Sequence, residues 1–186
     1  MIASSVRGVG GEIRLWDGET GAFLKTLANV GTGVGSLTFT PNGRYVLVAN
    51  EGEKELFATN PASINPEGSV SIIDVSGGFA APTVQTSTFA SFNGQEAVLR
   101  ARGIRIFPGN SAELDLEPEY VAVSPDGLTA MVVLQEANAV AILDIATATF
   151  TAINPLGLKS FSGMLADFSD RDSSANGQLI KLITGM

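Results

Sequence analysis

The chain has 186 residues, 45% of them hydrophobic, and its 21 glycines and 8 prolines suit many short strands joined by tight turns, so we expect an all-β fold. Its 19 acidic and 11 basic side chains give a net charge of −8 without a long basic run, which argues against a nucleic-acid partner. Cysteine and histidine are both absent, which excludes disulfides, Ser-His and Cys-His nucleophile pairs and histidine-ligated zinc.

The first half of the chain contains predicted strands joined by recognisable turns. Residues 12–27 predict a strand, a tight turn at residues 17–21 and a second strand. Residues 37–50 predict two more strands around the turn Pro41-Asn42-Gly43. A further apolar strand at residues 68–75 follows, and it ends in an aspartate, as the strand before the first turn does.

The second half repeats these landmarks in the same order. Residues 120–134 predict two strands around Pro125-Asp126-Gly127, and residues 138–145 predict a strand that reaches Asp144. Such a repeat, with four short strands in each unit, is typical of the blades of a β-propeller. A β-sandwich would show the same alternation but does not usually repeat one set of turns, so we favour four-stranded antiparallel propeller blades.

The repeats supply only about two to three blades, fewer than the four or more of a typical closed ring. We therefore expect a partial propeller, with its open blade edge covered by another copy, another chain or a rearranged terminus. Asn93 and Gly103 predict the two ends of a short helix in an insertion. The expected segments are a blade end at 11–28, a blade at 36–90 with an insertion at 53–67, an insertion at 91–117 with the short helix, a blade at 118–156 and an irregular tail at 157–186.

Several motifs support this interpretation. Trp16-Asp17 and residues 39–43 resemble WD-repeat and YVTN-type propeller blades in general. A more specific set of motifs comprises residues 37–53, 66–74, 115–120, 134–138 and 169–172. In this order they resemble the choice-of-anchor I family, whose members are bacterial secreted or surface proteins. That family is similar to the mesenchyme-specific cell surface glycoproteins of echinoderms, and some members carry an alkaline phosphatase-like label.

The resemblance implies an extracellular or periplasmic propeller module, often within a larger protein. The first residues carry no signal peptide, and no run of about 18 apolar residues could cross a bilayer, so we expect no membrane span. The chain departs from the family pattern after Glu53, where Lys54-Glu55-Leu56-Phe57 replaces a proline-containing acidic loop.

Carboxylates lie beside the predicted strands, at what would be one end of the blades. Loops at equivalent ends of successive blades converge on one face, where mutually repelling carboxylates would favour a bound cation. Calcium is the expected ion because it takes oxygen ligands and needs no imidazole. Alternatively each residue is a solvated loop charge, and no EF-hand spacing is present. The predicted calcium ligands are Glu51, Glu53, Glu67, Glu117, Glu119 and Glu136, with Asp115 in the same group.

Two functions of different classes fit these features. The first is a secreted or cell-surface module that binds a protein or surface partner and is stabilised by calcium, and the lack of a nucleophile–base pair favours it. The second is a calcium-dependent, alkaline phosphatase-like phosphoesterase, in which clustered carboxylates hold metal ions that activate water. Arg100, Arg102 and Arg105 form the one basic cluster that could face a phosphate, and a solvated helix edge explains them equally well.

Overall fold

The structure of the protein is a computed structural model that describes residues 1–5, 11–30, 33–52 and 66–158. Beyond these it describes only the backbone of a short antiparallel ladder, formed by residues 165–166 and 178–179. The chain divides into two compact units, Met1–Leu156 and Gly157–Met186, and the short ladder belongs to the second.

Three antiparallel sheets build the first unit. Its strands are β1 (Ile2–Ser5), β2 (Glu12–Trp16), β3 (Phe23–Asn29), β4 (Val34–Phe39), β5 (Tyr45–Asn50), β6 (Ser69–Asp74), β7 (Thr83–Thr88), β8 (Tyr120–Val123), β9 (Thr129–Leu134), β10 (Ala139–Asp144) and β11 (Thr149–Pro155). Sheet 1 contains β1 to β3, sheet 2 contains β4 to β7 and sheet 3 contains β8 to β11, each in chain order. These meanders confirm the predicted all-β fold with four-stranded blades.

Sheet 2 buries both of its faces. Successive residues of a strand point to opposite sides of the sheet, and Leu47 and Val48 of β5 are both fully buried. Val48 belongs to a core cluster with Ile13 of sheet 1, whereas Leu47 belongs to a second cluster with Val132 of sheet 3. In every sheet we call the side equivalent to Val48 the first face and the side equivalent to Leu47 the second face.

The two proline-containing turns share one hydrogen-bond network. In sheet 2 the Thr40 hydroxyl donates to Asn42 Oδ1 at 2.8 Å, and the Arg44 amide donates to the same oxygen at 3.0 Å. In sheet 3 the Ser124 hydroxyl donates to Asp126 Oδ1 at 2.6 Å, and the Leu128 amide donates to the same oxygen at 3.0 Å. A short polar side chain that accepts hydrogen bonds from the residues around it is therefore what this turn requires.

The aspartates at the ends of β2 and β10 also organise turns. Asp17 Oδ1 accepts from the amide of Thr20 at 2.7 Å and from its hydroxyl at 2.8 Å. Asp144 Oδ1 accepts from the amide and the hydroxyl of Thr147, both at 2.8 Å. Hydrogen bonds from these threonine amides, and then from the hydroxyls, lower the pKa of both carboxyls. The repeated aspartates are thus structural.

After a 3₁₀ helix (Ala90–Phe92), the insertion before sheet 3 contains two short α-helices, α1 (Glu96–Ala101) and α2 (Ala112–Asp115). The predicted asparagine cap is wrong, because α1 is preceded by Gln95 and the Asn93 Oδ1 instead accepts a hydrogen bond from the Glu113 amide. The predicted glycine stop is confirmed, since Gly103 follows the helix with φ of 91°. The second helix has no counterpart in the expectation from sequence.

We expect Asp126→Asn to preserve its turn, because Asn42 occupies the same position in sheet 2, and Asp126→Ala to lose it. Hydrogen bonds from the Ser124 hydroxyl and the Leu128 amide lower the folded-state pKa of Asp126. Its contribution to stability is therefore present above the ordinary carboxyl pKa and is lost as the pH falls through the lower folded value.

Thermal unfolding checks this role of Asp126. At neutral pH the alanine variant should unfold at a lower temperature than the wild type, with the asparagine variant close to the wild type. Between neutral and acid pH, the Tm of the asparagine variant should also fall by less than the Tm of the wild type. Equal Tm values for the alanine and asparagine variants would contradict the role.

Candidate functional site

The predicted metal ligands that the structure describes lie at one end of the sheets. Glu51 follows β5 and Glu136 follows β9, whereas Glu67 precedes β6 and Glu119 directly precedes β8. The proline-containing turns lie at the other end of the same strands, so we name the two ends the acidic end and the turn end. Glu117 belongs to the acidic end as well, and Glu53 lies outside the described residues.

The backbone brings several segments of the acidic end together. The Glu51 amide donates to the Gly33 carbonyl at 3.0 Å, and the Gly68 amide donates to the Glu113 carbonyl at 3.1 Å. The approach at Gly68 is so close that a Cβ there would lie 1.9 Å from the Leu116 carbonyl oxygen. The contacts of Gly68 therefore join the segments that carry Glu67 and Glu117, whereas the segment of Glu51 is bonded to that of Gly33.

The carboxylates of the acidic end have separate surroundings. Glu136 Oε2 lies 3.7 Å from Arg105 Nη2, and both side chains are more than half exposed, so this ion pair adds little stability. Asp115 accepts hydrogen bonds from the Phe107 amide at 2.7 Å and from the side-chain amide of Asn110. Among the residues that the structure describes, no three acidic side chains lie close enough to hold a metal ion.

The basic cluster that the sequence singled out is also dispersed. Arg100 Nη1 donates to the Ile106 carbonyl at 3.4 Å, and Arg102 Nη2 donates to the Ile153 carbonyl at 2.8 Å. Arg105 lies over the Phe107 ring, 5.5 Å from its centroid, in addition to its pairing with Glu136. Arg102 and Arg105 thus tie the insertion to sheet 3 and its loops, whereas Arg100 bonds within the insertion, so the three guanidinium groups have different partners.

A buried polar group at the acidic end was missed by the sequence analysis. Asn50 is 1% exposed, and its Nδ2 donates to Ser69 Oγ at 3.0 Å and to Ser71 Oγ at 2.9 Å. Its Oδ1 is buried without a hydrogen-bond partner. A comparison of the two repeats, residue by residue, could have revealed this group from the sequence.

The aligned strands show what the repeat would place there. Asn50 pairs with Ser69 across β5 and β6, as Leu134 pairs with Ala139 across β9 and β10. Ala141 of β10 is the counterpart of Ser71. Sheet 2 thus carries one amide and two hydroxyls where sheet 3 has only apolar side chains. We call Asn50, Ser69 and Ser71 the polar trio.

Comparison with known families decides what the chain is related to. Residues 2–186 match the sequence model of the choice-of-anchor I domain, and this match spans nearly the whole chain. The chain belongs to the choice-of-anchor I family. The expected resemblance is therefore confirmed, and it indicates that this choice-of-anchor I domain is part of a surface or secreted protein. No curated protein matches the sequence.

Solved structures with similar folds are β-propeller-type proteins. Hydrazine synthase from Kuenenia stuttgartiensis aligns with a TM-score of 0.52 and 15% identity, over 80% of this chain and 44% of that one. The Cps50 (Swd1) β-propeller domain from Myceliophteria thermophila aligns with a TM-score of 0.32 and 16% identity, over 82% and 50% of the two chains. The choice-of-anchor I domain thus spans about half the length of these structures, and the likeness concerns the fold alone.

The α-helices of the structure are short, six residues in α1 and four in α2. Within the described ranges, none of them has the length and apolar character that crossing a bilayer requires.

We expect Gly68→Ala to destabilise the domain by about 1–3 kcal/mol, because the added methyl group would overlap the Leu116 carbonyl and separate two segments of the acidic end. Gly77→Ala is the matched control, since a Cβ at Gly77 meets no heavy atom within 4 Å. Urea unfolding should show a change within about 0.5 kcal/mol for the control. Equal losses for the two variants would contradict the close packing at Gly68.

We expect Asn50→Ala to cost about 1–3 kcal/mol, because two buried serine hydroxyls lose their partner. The triple variant Asn50→Leu, Ser69→Ala, Ser71→Ala copies sheet 3 and should be close to the wild type or more stable, since all three polar groups are removed together. Urea unfolding of both variants measures this difference. A triple variant less stable than the single one would show that the polar trio stabilises the fold.

Proposed function

We propose that this choice-of-anchor I domain is an interaction module of a surface or secreted protein, and that its acidic end is the binding surface. The convergence of loops at that end carries the proposal. Loops held by a rigid β scaffold are where binding residues usually lie. Here the scaffold is a pair of four-stranded sheets, and the loops carry Glu51, Glu67, Glu117 and Glu119.

Charge supports the acidic end as a surface for cations or a basic partner. The net charge of −8 makes the whole chain acidic, and Glu67 is exposed. Local negative potential of this kind raises the encounter rate with positively charged partners. A protein or a charged surface that presents basic groups is the partner that this chemistry would recognise.

Calcium is the cation that we propose for this surface. Loops of carboxylates and backbone carbonyls supply the oxygen ligands that calcium prefers. The unpartnered Asn50 Oδ1 lies one residue before Glu51 and adds an oxygen that lacks a hydrogen bond. The described carboxylates do not form a ready-made metal cluster, so calcium binding would require the side chains of the loops to move inward.

The second function, a calcium-dependent phosphoesterase, stays a prediction from the family label. It would need several carboxylates on one metal site and a cationic group facing the phosphate. The three arginines considered above make contacts in different directions, so they do not favour it.

Calcium titration by calorimetry, together with thermal unfolding in calcium and in chelator, tests the proposal. We expect binding heat and a higher Tm in calcium, because an ion that binds only the folded state stabilises it. Glu51→Gln combined with Glu67→Gln should weaken binding by about tenfold or more, the loss that about 1.4 kcal/mol represents. The absence of both binding heat and a change in Tm would contradict the calcium site.

Two controls separate the hypotheses. Glu19→Gln removes an exposed carboxylate at the turn end of sheet 1 and should leave calcium binding unchanged. A parallel assay with p-nitrophenyl phosphate should show no turnover if the domain is a binding module. Calcium-dependent turnover that the Glu51 and Glu67 changes abolish would contradict the module and support the phosphoesterase.

A further inference from the structure

Two serines fix the orientation of the Asn50 side chain. Ser69 lies directly opposite Asn50 in the ladder, and Ser71 lies two residues nearer the turn end. The Asn50 Nδ2 reaches both hydroxyl oxygens, at 3.0 Å and 2.9 Å, so it points across to β6 and towards the turn end. The oxygen of an amide lies on the other side of the group from its nitrogen. The Asn50 Oδ1 therefore points away from β6 and towards the acidic end.

This oxygen is buried and has no hydrogen-bond partner. Asn50 is 1% exposed, and a buried acceptor in this condition lowers the stability of a fold unless it takes a ligand. The blade itself does not require an amide here, because sheet 3 has the fully buried Leu134 at the same position. The amide is thus a costly group that packing does not explain, directed at the end of the sheet where the carboxylates lie.

Other oxygen atoms surround the end of β5. Glu51 follows Asn50 directly, and Glu67 lies two residues before the serine that faces Asn50. The Gly33 carbonyl, which accepts a hydrogen bond from the Glu51 amide at 3.0 Å, places a backbone oxygen beside the same residue. An amide oxygen, a backbone carbonyl and carboxylates are the donors that a hard cation takes.

We propose that Asn50 is the specificity-determining ligand of the cation site at the acidic end, that Ser69 and Ser71 position its amide, and that this ligand selects calcium over magnesium. The inference rests on the proposed function, because it concerns the same site. An ion must lose water on one side to contact a buried oxygen. Calcium exchanges its water for protein oxygens in a flexible geometry, whereas magnesium dehydrates reluctantly and usually keeps several waters. Asn50 is the last residue of β5, so it lies at the edge of the sheet that an ion reaches from the acidic end.

Calorimetric titration of the full chain with calcium chloride and with magnesium chloride tests this role. The wild type should bind calcium about 100-fold or more tightly than magnesium. The triple variant Asn50→Leu, Ser69→Ala, Ser71→Ala should bind calcium about tenfold or more weakly, with its magnesium affinity within about twofold of the wild type. The ratio of the two affinities therefore falls. The variant removes the amide and both hydroxyls together, so we expect it to stay folded, and thermal unfolding in chelator checks this.

Two further variants separate the oxygen of Asn50 from the packing around it. Asn50→Asp keeps an oxygen at the same position and should bind calcium at least as tightly as the wild type. Ser71→Ala removes one of the two contacts that orient the amide and should weaken calcium binding by about threefold or more. Ser87→Ala is its matched control and should leave calcium binding unchanged, because Ser87 is also buried but pairs with Val70, on the second face of sheet 2.

The outcomes distinguish this inference from the proposed function. A wild type that binds calcium, together with a triple variant of unchanged calcium-to-magnesium ratio, would overturn the role of Asn50 and leave the acidic end as a calcium surface. Loss of calcium binding in Asn50→Asp as well as in the triple variant would assign the effect to packing and would also overturn it. A wild type without calcium binding would overturn both the calcium site and the role of Asn50.

Discussion

Burial of both faces of sheet 2 is the interaction on which the first unit depends. Leu47 and Val48 are neighbours in sequence and both fully buried, yet they enter different clusters on opposite sides of the sheet. A strand buried on both sides reads as a continuous apolar run and not as an alternation of apolar and polar residues. A blade of this composition is stable only with a neighbour on each side, which makes packing between sheets, and not pairing within them, the constraint on the fold.

The position of the acidic end follows from this packing. Once sheets 2 and 3 lie face to face, the strands that end beside Glu51 and begin beside Glu119 must finish close together. The contact of Gly68 with the Leu116 carbonyl is then a consequence of two loops sharing a narrow space, and only a residue without a side chain fits there. The loops converge because the sheets hold them, and not because their charges attract.

Local features of this fold could be predicted from the sequence, whereas contacts between distant residues could not. The proline-containing turns and the aspartates that hold Thr20 and Thr147 use partners within a few residues, so their sequence patterns are sufficient. The prediction of a helix cap at Asn93 was wrong because the Asn93 side chain accepts a hydrogen bond from the Glu113 amide, 20 residues away. The sequence likewise places Asp115 beside a strand but does not show that its carboxylate is engaged with Phe107.

The polar trio shows where this chain departs from its own repeat. Sheet 3 fills the same positions with Leu134, Ala139 and Ala141, which are all fully buried and leave no polar atom to satisfy. Sheet 2 instead buries an amide that is only half satisfied, and such a group lowers stability relative to an apolar core. Departures from local rules tend to fall at functional sites. This one lies directly beneath the loops that carry Glu51 and Glu67, and not at the turn end, where both sheets keep the same network. This asymmetry between the two blades therefore supports the proposal that the acidic end is the binding surface.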